Sequence, residues 1–229
     1  MVRPLRVTGN MIRLEYPVMW LISFLIVVLV QDGSVSRLDS LFMIVFYLLF
    51  TAYLIGLVRT QLKSGEHSEL STQVEELNAD GSLVAALGLV AVSVVLLAAG
   101  AEFTVYGAVE IARIFGISER VIGLTIVAIG TSLPEIVAST ISAYRGRGDI
   151  AIANVVGSNI FNILGILGLS GLAMSIPVNQ QIINSDVWWM LGITTLLFPI
   201  MHSKLEIGRK EGGFLLAVYG VYLAALLAI

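Results

Sequence analysis

Gly130-Thr131-Ser132-Leu133-Pro134-Glu135 interrupts an otherwise apolar stretch. The surrounding run, 123–142, has the length of a membrane helix, and Glu135 is its only ionisable side chain. Inserting a carboxylate at that depth costs about 3 kcal/mol, because lipid cannot solvate it. Glu135 is therefore either protonated or turned toward cations and polar groups inside a bundle. A second polar interruption follows on the next apolar stretch: Asn154-Val155-Val156-Gly157-Ser158-Asn159-Ile160-Phe161-Asn162. Each segment mixes oxygen-bearing side chains with glycine, as two walls of an ion site would.

Composition sets the class. Hydrophobic residues make up 57% of the chain and charged residues 13%, with a mean hydropathy of +0.94. Soluble domains carry about 25% charged residues, so this is an integral membrane protein whose main partner is the lipid bilayer. The chain has no cysteine, which removes disulfides, thiolate metal sites and thiol nucleophiles together. His67 and His202 both fall in polar loops, away from any metal-ligating cluster. No nucleophile–base pair and no phosphate-cradling loop is present, so no enzyme is expected, and neither a cofactor nor a nucleic-acid partner is implied.

Apolar segments run near 17–30, 39–58, 83–115, 120–144, 150–173, 186–201 and 211–228. They predict an all-α polytopic membrane protein of about seven helices. The third is long enough that it must tilt or project from the bilayer. It carries Glu110 and Arg113 at i,i+3 spacing, suited to pairing, and Gly116-Ile117-Ser118-Glu119 ends it. Of the 13 Lys and Arg, ten fall on one side: Arg3, Arg6, Arg13, Arg59, Lys63, Arg145, Arg147, Lys204, Arg209 and Lys210. Arg37, Arg113 and Arg120 fall on the other. The positive-inside rule then puts the N-terminus in the cytoplasm and the C-terminus outside. Residues 59–82 read as a solvated cytoplasmic linker.

A weak internal repeat appears when Arg37 is aligned with Arg209: each copy is an apolar helix, a short polar turn and a second apolar helix. The chain thus divides into 1–58, the last two helices of a first repeat, the linker 59–82, and a complete five-helix repeat, 83–229. An odd helix number per repeat makes the copies inverted in the membrane.

On a continuous helix, Thr131 and Ser132 share a face with Glu135. Pro134 has no N–H, so the Gly130 carbonyl loses its usual partner and is free to meet a cation. Asn154, Ser158 and Asn162, spaced by four, form a polar stripe on the next helix. Carboxylate, hydroxyl, amide and carbonyl oxygens are hard ligands that suit Na⁺ and Ca²⁺.

These two motifs, with Gly116-Ile117-Ser118 before them, resemble the α-repeat of sodium/calcium exchangers in the calcium/cation antiporter superfamily. The resemblance implies a fold of ten helices in two inverted repeats, each giving one motif to a central cluster of Na⁺ and Ca²⁺ sites. It implies that Glu135 is the acidic ligand shared by both ions, joined by Thr131, Ser132, Ser158 and the Ala128 carbonyl. Asn162 stands where some members have Asp, which leaves one carboxyl fewer and weakens any case for K⁺ co-transport. The first repeat's Glu-bearing motif is not in these 229 residues, so this chain is expected to carry one half of the ion site. An N-terminal repeat portion is then an expected partner, and the chain alone is not expected to exchange ions. The expectation is Na⁺/Ca²⁺ antiport by alternating access at the plasma membrane of a bacterial or archaeal cell. One alternative is a proton-coupled cation antiporter, although that branch usually has an acid and a His in its motif. A non-transporting truncated membrane fragment is the other.

Overall fold

The structure is a computed structural model and describes residues 4–63 and 83–228. Apolar side chains in lipid force backbone groups to bond within their own segment, and helices do this best. The described chain runs β1 (Leu5–Arg6), α1 (Met11–Asp32), β2 (Ser34–Val35), α2 (Arg37–Lys63), α3 (Leu83–Ile114), α4 (119–131), α5 (Leu133–Tyr144), α6 (Gly148–Ala173), β3 (Ile176–Pro177), α7 (182–204), β4 (Glu206–Ile207) and α8 (Arg209–Ala228). Each apolar segment read from sequence falls on helix, and α4 and α5 divide the fourth. The 59–82 linker reading needs one change. Residues 59–63 continue α2, because nothing there breaks the helix; 64–82 lie outside the described residues.

α1, α2, α3 and α6 are each long and apolar enough to cross a membrane, and the bent pair α4–α5 makes a fifth span. α7 carries Asp186 near its start and Lys204 at its end, and α8 opens on Arg209, Lys210 and Glu211, so the charged residues of both lie toward the helix ends. The 32 residues of α3 make about 48 Å at the helical rise, well beyond a hydrocarbon core of about 30 Å.

The core lies among α1, α2, α6 and α7, where Ile22, Met43, Val156, Leu164 and Met201 are almost wholly buried. Polar bonds tie α1 to α7. Tyr16 Oη donates to the Thr194 carbonyl at 2.8 Å, and Trp20 Nε1 donates to Thr195 Oγ1 at 2.8 Å. α3 packs on α4 and α5 and exposes Leu89, Val95, Leu96 and Phe103. At its end, Arg113 pairs with Glu110 at 3.1 Å, as the spacing predicts. It also reaches Glu119 across the Gly116 turn at 2.9 Å, which the spacing did not reveal. That hydrogen bond holds the Glu119 carboxyl below the usual carboxylate range. All three side chains are at least half exposed, so the triad orients the α3–α4 corner and adds little stability.

Two short antiparallel ladders close the ends of the bundle. β1 pairs with β4, and β2 with β3. The members are exchanged between the two halves of the chain: the strand before α1 meets the strand before α8, and the strand before α2 meets the one before α7. Equivalent hydrogen bonds recur, Val7 N–H to Leu205 O at 2.8 Å and Val178 N–H to Gly33 O at 2.9 Å. The basic segments meet at the β1–β4 end, where the Gly148 turn abuts the Leu5–Arg6 backbone.

The accepting residues of those two bonds share a backbone state. Gly33 has φ +86° and Leu205 has φ +52°. A Cβ in this region costs about 1–2 kcal/mol, and glycine avoids the clash. Leu205 is 48% exposed, so it gives up little burial if truncated. Leu205→Gly is expected to stabilise the protein by about 0.5–1 kcal/mol, and Gly33→Ala to destabilise it by about 1–2 kcal/mol. Thermal unfolding in detergent checks both signs.

Candidate functional site

The Gly130–Glu135 motif does not lie on one helix face. α4 and α5 are bent by 50° at Ser132, whose backbone sits at φ −90°, ψ 1°. Pro134 causes this: it has no N–H to bond back with, and it is tolerated only in a first turn. The expected common face of Thr131, Ser132 and Glu135 is therefore replaced by a corner. Thr131 and Ala128 end one half-helix, Ser132 is the joint, and Glu135 begins the next.

α3 crosses this corner at Gly130. A Cβ built on that buried glycine would lie 2.0 Å from Val105 Cγ2. The missing side chain lets the long helix seat directly on the motif, a contact that spacing alone did not reveal.

Glu135 is half-buried, and its Oε2 is a buried oxygen with no hydrogen-bond partner. Thr131 Oγ1 donates back to the Val127 carbonyl at 2.9 Å and the Ala128 carbonyl at 3.2 Å. Ser158 Oγ donates back to the Val155 carbonyl at 3.1 Å. In both, the hydroxyl hydrogen is spent on the helix, and the oxygen lone pairs remain for a cation.

The second wall also departs from the regular spacing. α6 widens into a π-helical turn at Phe161–Leu167, which begins one residue before Asn162. Asn154 and Ser158 are half-buried, while Asn162 is exposed, as are Thr131 and Ala128. π-turns of this kind recur at functional sites. α5 and α6 pack closely and antiparallel, so Glu135 lies against Asn154: Asn154 Nδ2 donates to the Glu135 carbonyl at 3.3 Å and to Ser139 Oγ at 3.0 Å. Ser139, absent from the ligand set read from sequence, joins the site region only through this packing. Among the described residues, no three His, Cys, Asp or Glu side chains cluster as a metal site. The oxygens on offer are one carboxylate with hydroxyls, an amide and backbone carbonyls.

The family described as "Sodium/calcium exchanger protein" matches residues 85–228, which takes in both polar segments. The chain belongs to the sodium/calcium exchanger family. The inner membrane protein YrbG of Escherichia coli is 32% identical over 99% of this chain and 70% of its own length. The sodium/calcium exchanger MaX1 of Methanosarcina acetivorans is 41% identical over 57% of this chain and 37% of its own. A solved structure of the sodium-calcium exchanger NCX_Mj superposes with a TM-score of 0.73 at 30% identity, covering 99% of this chain and 69% of that one. The chain thus spans about 70% of the length of YrbG and of NCX_Mj. The protein is a polytopic all-α membrane transporter of the cation-antiporter class and not an enzyme.

Gly130→Ala is expected to push α3 off the corner, at about 1–3 kcal/mol for overpacking. Val105→Ala in the same molecule should relieve part of it, since the clashing atom is a Val105 methyl. Melting temperatures of the two single variants and the double variant measure the coupling.

Proposed function

We propose that this antiporter exchanges Na⁺ for Ca²⁺ by alternating access, with Glu135 as the acidic ligand contributed by this chain. Thr131, Ser132, Ser158, Asn162 and the Ala128 carbonyl supply neutral oxygens around it. The observation that carries this reading is the buried Glu135 Oε2 without a donor. Burying an ionised carboxylate is costly unless it is paired, and a cation bound among hard oxygens is the pairing this neighbourhood offers. The family and the names of its relatives point the same way. Na⁺ and Ca²⁺ would compete for one set of oxygens, and movement of α3 over Gly130 would change which side reaches them.

We further propose that the site is completed by a second, oppositely oriented motif, this chain holding one half. In this reading 1–63 closes a first repeat, 64–82 links, and 83–229 is a full repeat. The exchanged pairing of the ladders supports it, since two inverted copies would pair their strands in this way. The basic β1–β4 end would face the cytoplasm, in the cell membrane of a bacterium or archaeon.

In vesicles that hold this chain assembled with the N-terminal repeat portion, Glu135→Gln is expected to abolish Na⁺-driven ⁴⁵Ca²⁺ uptake, because a dehydrated divalent ion needs carboxylate compensation. Uptake equal to the parent's would overturn the assignment. Asn162→Asp, nearly isosteric, adds a carboxyl that titrates in a partly apolar place. It should shift the pH profile of exchange without unfolding the protein. An unchanged profile with unchanged Na⁺ and Ca²⁺ affinities would remove Asn162 from the site.

A further inference from the structure

We propose that Asn154 is a positioning residue for Glu135: from α6 its side-chain amide holds the Glu135 carbonyl and the Ser139 hydroxyl, one turn apart on α5. The proposal rests on the reading of Glu135 as the ion-binding carboxylate.

The first turn of α5 needs an anchor. It follows a 50° bend, and Ser132, at its N-cap, makes no side-chain capping bond. Glu135 Oε2 has no hydrogen bond of its own to fix it. An acidic ligand on an uncapped first turn would wander unless its backbone were held from elsewhere. The hold comes across the α5–α6 interface. Asn154 Nδ2 donates to Glu135 O at 3.3 Å and to Ser139 Oγ at 3.0 Å, and Ser139 Oγ donates to the Ala151 carbonyl at 3.3 Å. The chain of bonds leaves α6 at Asn154, runs through α5, and returns to α6 at Ala151.

The proton inventory admits one arrangement. The Glu135 carbonyl can only accept. Ser139 spends its hydrogen on Ala151, so its oxygen accepts as well. Asn154 must therefore present its NH₂ group, which has the two hydrogens required. An amide suits the task because it is neutral. A lysine or arginine there would donate to the backbone too, but its charge would compete with the transported ion for the Glu135 carboxylate. An aspartate would set acceptor against acceptor and add a negative charge beside the first. Anchoring the main chain leaves both carboxylate oxygens for the cation. Residues that orient a metal ligand typically change metal affinity by about ten- to a hundredfold when lost.

Interhelical glue predicts something else: a small loss of stability and no change in affinity. The test uses Asn154→Asp, Asn154→Ala and Ser139→Ala in this chain reconstituted in vesicles together with the N-terminal repeat portion that completes the site. For the two Asn154 variants the half-saturating Ca²⁺ concentration of Na⁺-driven uptake is expected to rise about tenfold or more, with the maximal rate kept to within about a factor of two. Ser139→Ala keeps the bond to Glu135 and should shift it less. Amide hydrogen exchange over 135–139 should be faster in Asn154→Asp than in the parent. Unchanged half-saturation, a loss confined to the maximal rate, or unchanged amide exchange each overturns the proposal. A parent that takes up no Ca²⁺ overturns the ion reading but not the clip. Amide exchange then decides alone: faster in Asn154→Asp supports the clip, unchanged refutes it.

Discussion

A carboxyl oxygen buried among apolar helices with no donor beside it is an unsatisfied polar group, and the arrangement around Glu135 is organised by that shortfall. The polar groups assigned to the site do not cancel it: Thr131 and Ser158 turn their hydrogens back onto their own helices, and Asn154 turns its NH₂ group onto the main chain. What reaches the carboxylate's surroundings is oxygen lone pairs. In the proposed reading such a site would take a transported cation where a fixed positive charge would satisfy Glu135 permanently and end exchange.

The backbone break and the close helix packing serve the same end. A regular helix through 119–144 would bond every carbonyl internally and offer a cation only side chains. Pro134 prevents that, and the bend at Ser132 separates Ala128 and Thr131 from Glu135 while keeping all three at one corner. Broken helices at membrane depth are tolerated where protein or a polar cavity covers them. Here α3 supplies cover at Gly130 and α6 supplies it at Asn154. One contact is apolar and has only van der Waals attraction to hold it. The other is a pair of directional hydrogen bonds. The two covering contacts are thereby distinguished by chemistry, van der Waals at α3 and hydrogen-bonded at α6.

The remainder of the bundle holds this corner steady. Lipid tails are as apolar as the helices, so hydrophobic burial does little to drive helix association in a membrane. Specific polar bonds matter more, and they are placed at the seams: Tyr16 to Thr194, Trp20 to Thr195, and the two terminal ladders. The ladders join the ends of α1 and α2 to those of α7 and α8 by main-chain bonds, which vary little with sequence. That explains why two halves of the chain with weak likeness close in equivalent ways, down to a leucine at Leu205 held in a conformation that Gly33 adopts freely.

Membrane class, helix content and the location of the polar motifs were legible in the sequence. Twenty-odd apolar residues in a row can only be helical in lipid, and a lone glutamate among them marks itself by its cost. The Arg113–Glu110 pair and the Gly116 stop were also readable, because both depend on neighbours within a turn or two. Tertiary structure decided the rest. Thr131, Ser132 and Glu135 form a corner in place of a stripe because a proline removes a donor and a neighbouring helix covers the gap. The π-turn that opens at Phe161 is likewise not encoded in four-residue counting along Asn154, Ser158 and Asn162. Asn154 meets Glu135, Val105 meets Gly130 and Arg113 meets Glu119 through packing or turn geometry that helical spacing does not encode. Periodicity along one helix reports which residues share a face; it carries no record of which face another helix will bring to it.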